Sequence, residues 1–308
     1  VTCHLDHTSD VVIDLDRIQP GDVLLVTPMP GEPLGEMITR LDGSGFSHSG
    51  IALGGDGVAS AHLSFCRSDP FDIGGVRADR LSHFWEHGQQ VYRLPVPSAD
   101  RRAAALDRLA EVRLPDDDGR FCVPKLMIVA IALASFGPDL APADAARVRA
   151  QAIEAARTWD GVADRREFFC AELVAHLHGA RFTVEDLAPV DPQEPGPRTR
   201  EGFLDTVLVR SIAFLADAER KAAFEELAVV VEQVMPTFFD RSALDILLSP
   251  FARHDGAPVS RGRRKPHKRP AGRAPEQDWL PPALVTPRML LDAAWTGDQV
   301  ERVREPAD

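Results

Sequence analysis

The stretch Glu167-Phe168-Phe169-Cys170-Ala171-Glu172-Leu173-Val174-Ala175-His176-Leu177 decides how this chain is read. Phe169, Leu173, Val174 and Leu177 recur at i, i+4, i+5 and i+8, the apolar stripe of a helix. Gly179 follows as a C-terminal stop. The spacing predicts a helix with Cys170 in its first turn. Unpaired backbone N–H groups and the positive end of the helix dipole gather there, and both favour a thiolate. An isolated cysteine is more often a small buried hydrophobe. Cys170 therefore gains meaning only from a partner.

A thiolate needs a base, and Phe46-Ser47-His48-Ser49-Gly50-Ile51-Ala52-Leu53 offers one. His48 stands among small residues that leave its ring accessible. Ser47 to Leu53 reads as a strand, Gly54-Gly55-Asp56-Gly57 as a hairpin turn, and Val58 to Leu63 as the returning strand. Side chains alternate along a strand, so Ser60 and His62 share one face beside His48. Either can orient the imidazole. His62 has the better reach, and Ser60 is the alternative.

Around this pair the chain alternates short strands and turns. Residues 1–10 read as a polar tail, and Cys3, His4 and His7 within it lack the preorganisation of a metal site. Gln19-Pro20-Gly21-Asp22 is a turn before a buried strand, Val23 to Val26. Thr27 to Ser44 reads as a loop with one helical turn at Met37 to Leu41. Gly74 to Arg77 suggests a further strand, Leu81 to Glu86 a short helix, and Gln90 to Pro95 another strand. Together these predict a small antiparallel meander of about five strands.

Helices follow. Residues 99–113 are helical by periodicity, and Asp116-Asp117-Asp118-Gly119 reads as a solvated acidic turn. Lys125 to Phe136 is an apolar helix closed by Gly137-Pro138, and Pro142 to Trp159 is a third helix. Residues 181–278 change character, with the Pro-rich Asp191 to Pro197, a helix at 217–235 and a basic segment at 253–273. That segment holds eight Lys or Arg and one Asp, so the remainder of the chain carries −19 against −12 for the whole. It reads as a flexible loop, and it suits an anionic partner. Trp279 to Trp295 regains apolar content, with Thr286-Pro287 as a helix start.

The totals narrow the function classes. A net charge of −12 argues against a general or sequence-specific nucleic-acid binder. The four cysteines, Cys3, Cys66, Cys122 and Cys170, contain no C-x-x-C pair, which argues against a zinc ribbon and fits a reducing compartment. The opening residues lack a secretion signal's basic and apolar regions. The longest apolar run, Leu126 to Phe136, has eleven residues, too few to span a bilayer. The expectation is a cytoplasmic protein without a transmembrane segment.

Three motifs in order carry a resemblance. Gly21-Asp22-Val23-Leu24-Leu25, then Phe46-Ser47-His48-Ser49-Gly50-Ile51, then Phe169-Cys170-Ala171-Glu172-Leu173-Val174 resemble the permuted branch of the NlpC/P60 papain-like superfamily. This is the YiiX/YebB-like type, related to lecithin:retinol acyltransferases, in which the histidine strand precedes the cysteine helix. Ala171 stands where the family usually has Ser. Gly119-Arg120-Phe121 occupies the place of a frequent Gly-x-Tyr, and Thr286-Pro287 resembles a late Thr-Pro element. The resemblance covers about residues 19–180 and 279–295.

It implies an α+β, circularly permuted papain-like fold, with a core at 11–180, a helical insertion at 181–278 and a return to the core at 279–300. It also implies covalent chemistry. His48 deprotonates Cys170, the thiolate attacks a carbonyl, and backbone N–H groups hold the oxyanion. His62 or Ser60 completes the triad, and no metal or cofactor is needed. The expected activity is cleavage of an amide in a peptide or peptide-like substrate through a thioester. A lipid acyltransferase or acyl hydrolase is the alternative, drawing on the apolar helix and the basic segment. A catalytically silent binding module is the third reading.

Overall fold

A computed structural model describes residues 8–62, 75–112, 121–137, 140–162, 167–189, 198–200, 218–234, 279–297 and 299–306, and the structural statements below concern these. The Gln19–Asp22 turn shows why the first central strand starts where it does. Gly21 adopts φ +89°, and a Cβ there would fall 2.5 Å from Arg102 Cβ. Only glycine meets both demands. Asp22 is fully buried, yet each of its oxygens has a donor. Oδ2 accepts from Gln19 N–H at 2.9 Å and from Arg93 Nε at 2.7 Å, and Oδ1 accepts from Val96 N–H at 3.0 Å. Arg93 also reaches Glu301 at 2.8 Å. One buried carboxylate thus ties three strands together.

Those strands belong to a seven-stranded mixed sheet, and the class is α+β. The strands are β1 (Thr8–Ile13), β2 (Val23–Val26), β3 (His48–Gly54), β4 (Gly57–His62), β5 (Gly75–Arg80), β6 (Val91–Leu94) and β7 (Val300–Val303). Their order is β1-β7-β6-β2-β3-β4-β5. β2 to β5 form the expected antiparallel meander, but β6 returns beside β2 rather than β5. β1 and β7, absent from the sequence reading, pair in parallel at one edge. Residues 8–10 are therefore strand rather than tail.

The sheet has two apolar faces, as the alternation along β2 shows. Val23 and Leu25 join Ile51, Ala59, Ala61 and Val76 in the main core. Leu24 and Val26 join Ala52, Val58, Phe84 and Val91 in a smaller cluster on the other face. Over the main core lie α1 (Pro33–Asp42), α3 (Ala99–Val112), α4 (Val123–Ala134), α5 (Pro142–Val162) and α6 (Cys170–Leu177). α2 (Ser82–Glu86) caps the smaller face.

α1 corrects the expected loop at 27–44. The Glu32 carboxylate accepts from Leu34 and Gly35 N–H groups at 2.8 and 2.5 Å, which caps a ten-residue helix behind Pro33. Every residue from Leu126 to Ala134 in α4 is buried, so this apolar helix is core and offers no lipid-facing surface. Among the described residues, no helix is long and apolar enough to cross a membrane.

Beyond Gly179, α7 (Ala218–Val234) buries Leu227 and Val231 in the main core, and Arg147 on α5 bonds Gln233 at 2.8 Å. The described part of the expected insertion thus packs on the same core. α8 (Pro287–Leu291) starts at Thr286-Pro287 as read from sequence. Cys3, His4, His7, Cys66, Asp116 to Asp118 and the basic segment 253–273 lie outside the described residues.

Candidate active site

α6 begins at Cys170 because the chain before it is extended and its first donors are met. Phe169 is the cap residue (φ −106°, ψ 171°), and its N–H donates to Glu172 Oε2 at 3.3 Å. That is half of a capping box; Phe169 has no side-chain acceptor to return the bond. At the other end Gly179 turns to φ +60° and Ala180 N–H closes on Ala175 O at 2.8 Å. Arg108 and Arg101 donate to the carbonyls of Leu177 and His178 at 2.6 and 3.2 Å, cations at the negative end of the helix.

The Cys170 sulfur sits 4.0 Å from the carbonyl oxygen of Ser47, the residue before His48. Burial pushes its thiol above the ordinary value. The N–H and hydroxyl of Ser49 and the N–H groups of Ala171 and Cys170 pull it back. The cysteine helix therefore docks at the beginning of the histidine strand, the juxtaposition that sequence spacing alone could not establish.

His48 faces the other way. It pairs with Val26 across β2–β3, and Ser49 pairs with Leu25. His48 thus lies on the smaller face and Ser49 on the face of α6. Its Nε2 lies 3.1 Å from Ser60 Oγ, and its ring centroid lies 4.6 Å from His62 and 5.6 Å from Phe84. No hydrogen bond joins it to the Cys170 sulfur among the described contacts. Gly50 makes the ring's bond to Ser60 possible, since a Cβ there would come 3.0 Å from Ser60 Cβ and 2.9 Å from Ala59 O. Burial holds His48 well below its ordinary value, and His62 and His83 push the same way. These influences favour the neutral ring and oppose its protonation in this position. The tautomer that leaves Nδ1 bare is the one in which Nε2–H donates to Ser60.

Of the two candidate orienting residues, Ser60 bonds the ring and His62 lies against it with the ring planes tilted by 38°. His62 turns its Nε2 toward Asp79, 3.3 Å away, too poorly aligned for a hydrogen bond. Burial lowers its pKa to about 4, partly opposed by Asp79. Asp79, His83 and Phe84 are not singled out by the sequence, where the His83–His87 spacing is the signal that could point to a cluster. Lys125 was passed over as the start of an apolar helix, although a lone cation in such a run signals a buried partner. Among the described residues, no group of three or more His, Cys, Asp or Glu is arranged to hold a metal.

A separate recess of about 420 Å³ is lined by Arg181, Phe182, Asp186, Arg288, Met289 and Trp295 among others. It includes none of Cys170, His48 and Ser60.

Comparison with protein-family models, with curated proteins and with solved structures returns no match to this chain.

Proposed function

We propose that the chain is a cysteine hydrolase of permuted papain-like architecture that cleaves an amide in a peptide or peptide-like substrate. The observation that carries the reading is the docking of the Cys170 sulfur 4.0 Å from the Ser47 carbonyl, one residue from an imidazole already held by Ser60. The histidine strand precedes the cysteine helix, as the permuted order requires.

The chemistry requires one movement. The Cβ of His48 lies on the smaller face, so the backbone must turn at this first residue of β3, releasing the Ser60 bond, to bring Nδ1 toward the sulfur. His48 then takes the thiol proton, and the thiolate adds to the substrate carbonyl. Backbone N–H groups at the start of α6 stabilise the oxyanion. The C–N bond breaks, the leaving amine takes the proton from His48, and the acyl group remains on Cys170 as a thioester. Water, deprotonated by His48, hydrolyses that thioester and restores the thiol.

The burial of α4 removes one of the two supports for a lipid acyl substrate, which leaves the peptide-like substrate ahead. The silent binding module draws on a different observation: Cys170 is only 4% exposed and its neighbouring imidazole points to the other face.

An acyl-trapping experiment separates these readings. The full chain is mixed with a peptide p-nitroanilide or a p-nitrophenyl fatty ester, quenched in acid, and the peptide 167–181 is weighed by mass spectrometry. A peptidyl mass increment on Cys170, lost in His48→Ala, is expected. A fatty-acyl increment alone assigns the lipid activity, and no increment from either substrate sinks the enzyme reading.

A further inference from the structure

Lys125 is an ammonium buried to 2% exposure in the apolar run of α4. Its Nζ donates to Glu172 Oε1 at 2.6 Å and to the Glu167 carbonyl at 3.0 Å, and lies 3.1 Å from Asp160 Oδ1. Two hydrogen bonds and one further ion pair thus hold the ammonium. Burial alone would strip a proton, but Glu172 and Asp160 outweigh it and hold Lys125 above its ordinary range.

These contacts converge on the segment that leads into Cys170. Lys125 holds the carbonyl of Glu167. Cys122 N–H donates to the Phe168 carbonyl at 3.0 Å, beside a parallel bridge between Phe121 and Phe168. Phe169 N–H is held by the second oxygen of Glu172, whose first oxygen is on Lys125. The second oxygen of Asp160 accepts from Ala283 N–H at 3.3 Å, which brings the C-terminal return of the chain into the same network. A carboxylate shared between a helix cap and a buried cation has a fixed orientation, and so does the cap.

We propose that Lys125 is a positioning residue for Cys170. By holding Glu172 and the Glu167 carbonyl it fixes the extended Phe169 cap, which keeps the N–H groups of Cys170 and Ala171 turned toward the sulfur. The inference rests on the thiol-enzyme reading above, but its test needs no activity.

The test is a titration of the Cys170 thiol in the full chain, followed through the 13Cβ shift of labelled cysteine. It compares wild type with Lys125→Met and with Lys125→Met/Glu172→Leu, in which an apolar pair replaces the ion pair and folding is regained. A merely structural role predicts that the double variant regains the wild-type titration along with the fold. Positioning predicts at least a fivefold lower thiolate fraction at a fixed pH below the midpoint, in the single and the double variant alike. A titration superposing on wild type in either variant overturns the proposal. Failure of the enzyme reading itself shows elsewhere, as absent acylation of wild-type Cys170.

Discussion

His48 Nε2 lies 3.1 Å from the hydroxyl oxygen of Ser60, and that bond holds the imidazole on the sheet face away from Cys170. Ser60 is fully buried and His48 half-buried, so the hydroxyl end of the bond is shielded from water. Ser60→Ala removes that tether and is expected to raise the alkylation rate of Cys170 severalfold, since the base is then free to come within reach of the thiol proton. Ser60→Thr, which keeps a hydroxyl, leaves the rate near that of wild type. Site-resolved alkylation by mass spectrometry reads both.

Gly50→Ala tests the same face by crowding. The added methyl would come 2.8 Å from Val58 Cγ2 and 2.9 Å from the Ala59 carbonyl, contacts that β4 must yield to. A loss of about 1–3 kcal/mol in urea unfolding is expected, the usual cost of overpacking.

Much of the fold was legible because it is written locally. Alternation in Ser47 to Leu53, the glycine turn after it and the stripe of α6 each sit within one element, and the structure has them at those residues within two positions. What was missed depends on distant partners. β1 becomes a strand only because β7, nearly three hundred residues later, pairs with it. α1 depends on a Glu32 cap in a Pro- and Gly-rich stretch that reads as a loop. At the site, residue types were legible and directions were not. A strand residue's face is set by register, and register put His48 over Ser60 and His62 rather than over Cys170.

Asp22 and Arg93 form a buried pair at 2.7 Å with Asp22 fully enclosed. Arg93→Met leaves that carboxylate without its cation. The expected cost is about 3–5 kcal/mol, the usual penalty for removing one partner of a buried pair. A shift in the urea midpoint at constant slope measures it. Asp22→Asn, which keeps an acceptor and sheds the charge, costs less.

His178 is one of three histidines, with His48 and His62, whose burial lowers stability in acid. It is 2% exposed, stacked on Trp295 with centroids 4.6 Å apart, and neither ring nitrogen has a hydrogen-bond partner among the described residues. Burial lowers its pKa to about 4, and Arg101 and Arg108 push the same way. A histidine depressed on folding binds fewer protons in the native state, so it leaves stability intact above pH 6.5. Stability is lost as pH falls from 6.5 towards 4. His178→Phe removes its own share of this dependence and is expected to gain on the order of 2–3 kcal/mol near pH 4.5 relative to wild type. Its gain at pH 8 is smaller and reflects only the unpaired nitrogens. Unfolding curves at the two pH values decide it.

The reactivity of Cys170 against an internal standard tests the central claim most directly. Cys122 is fully buried and its thiol is pushed up to about 12, chiefly by burial, so it reports the background of an inert thiol in the same fold. Native full-length chain is treated with iodoacetamide at pH 7 and the modification of each cysteine is followed by mass spectrometry. The account predicts that Cys170 reacts at least tenfold faster than Cys122 and that His48→Ala abolishes the difference. Equal rates at the two cysteines, or a Cys170 rate unchanged by His48→Ala, would contradict it.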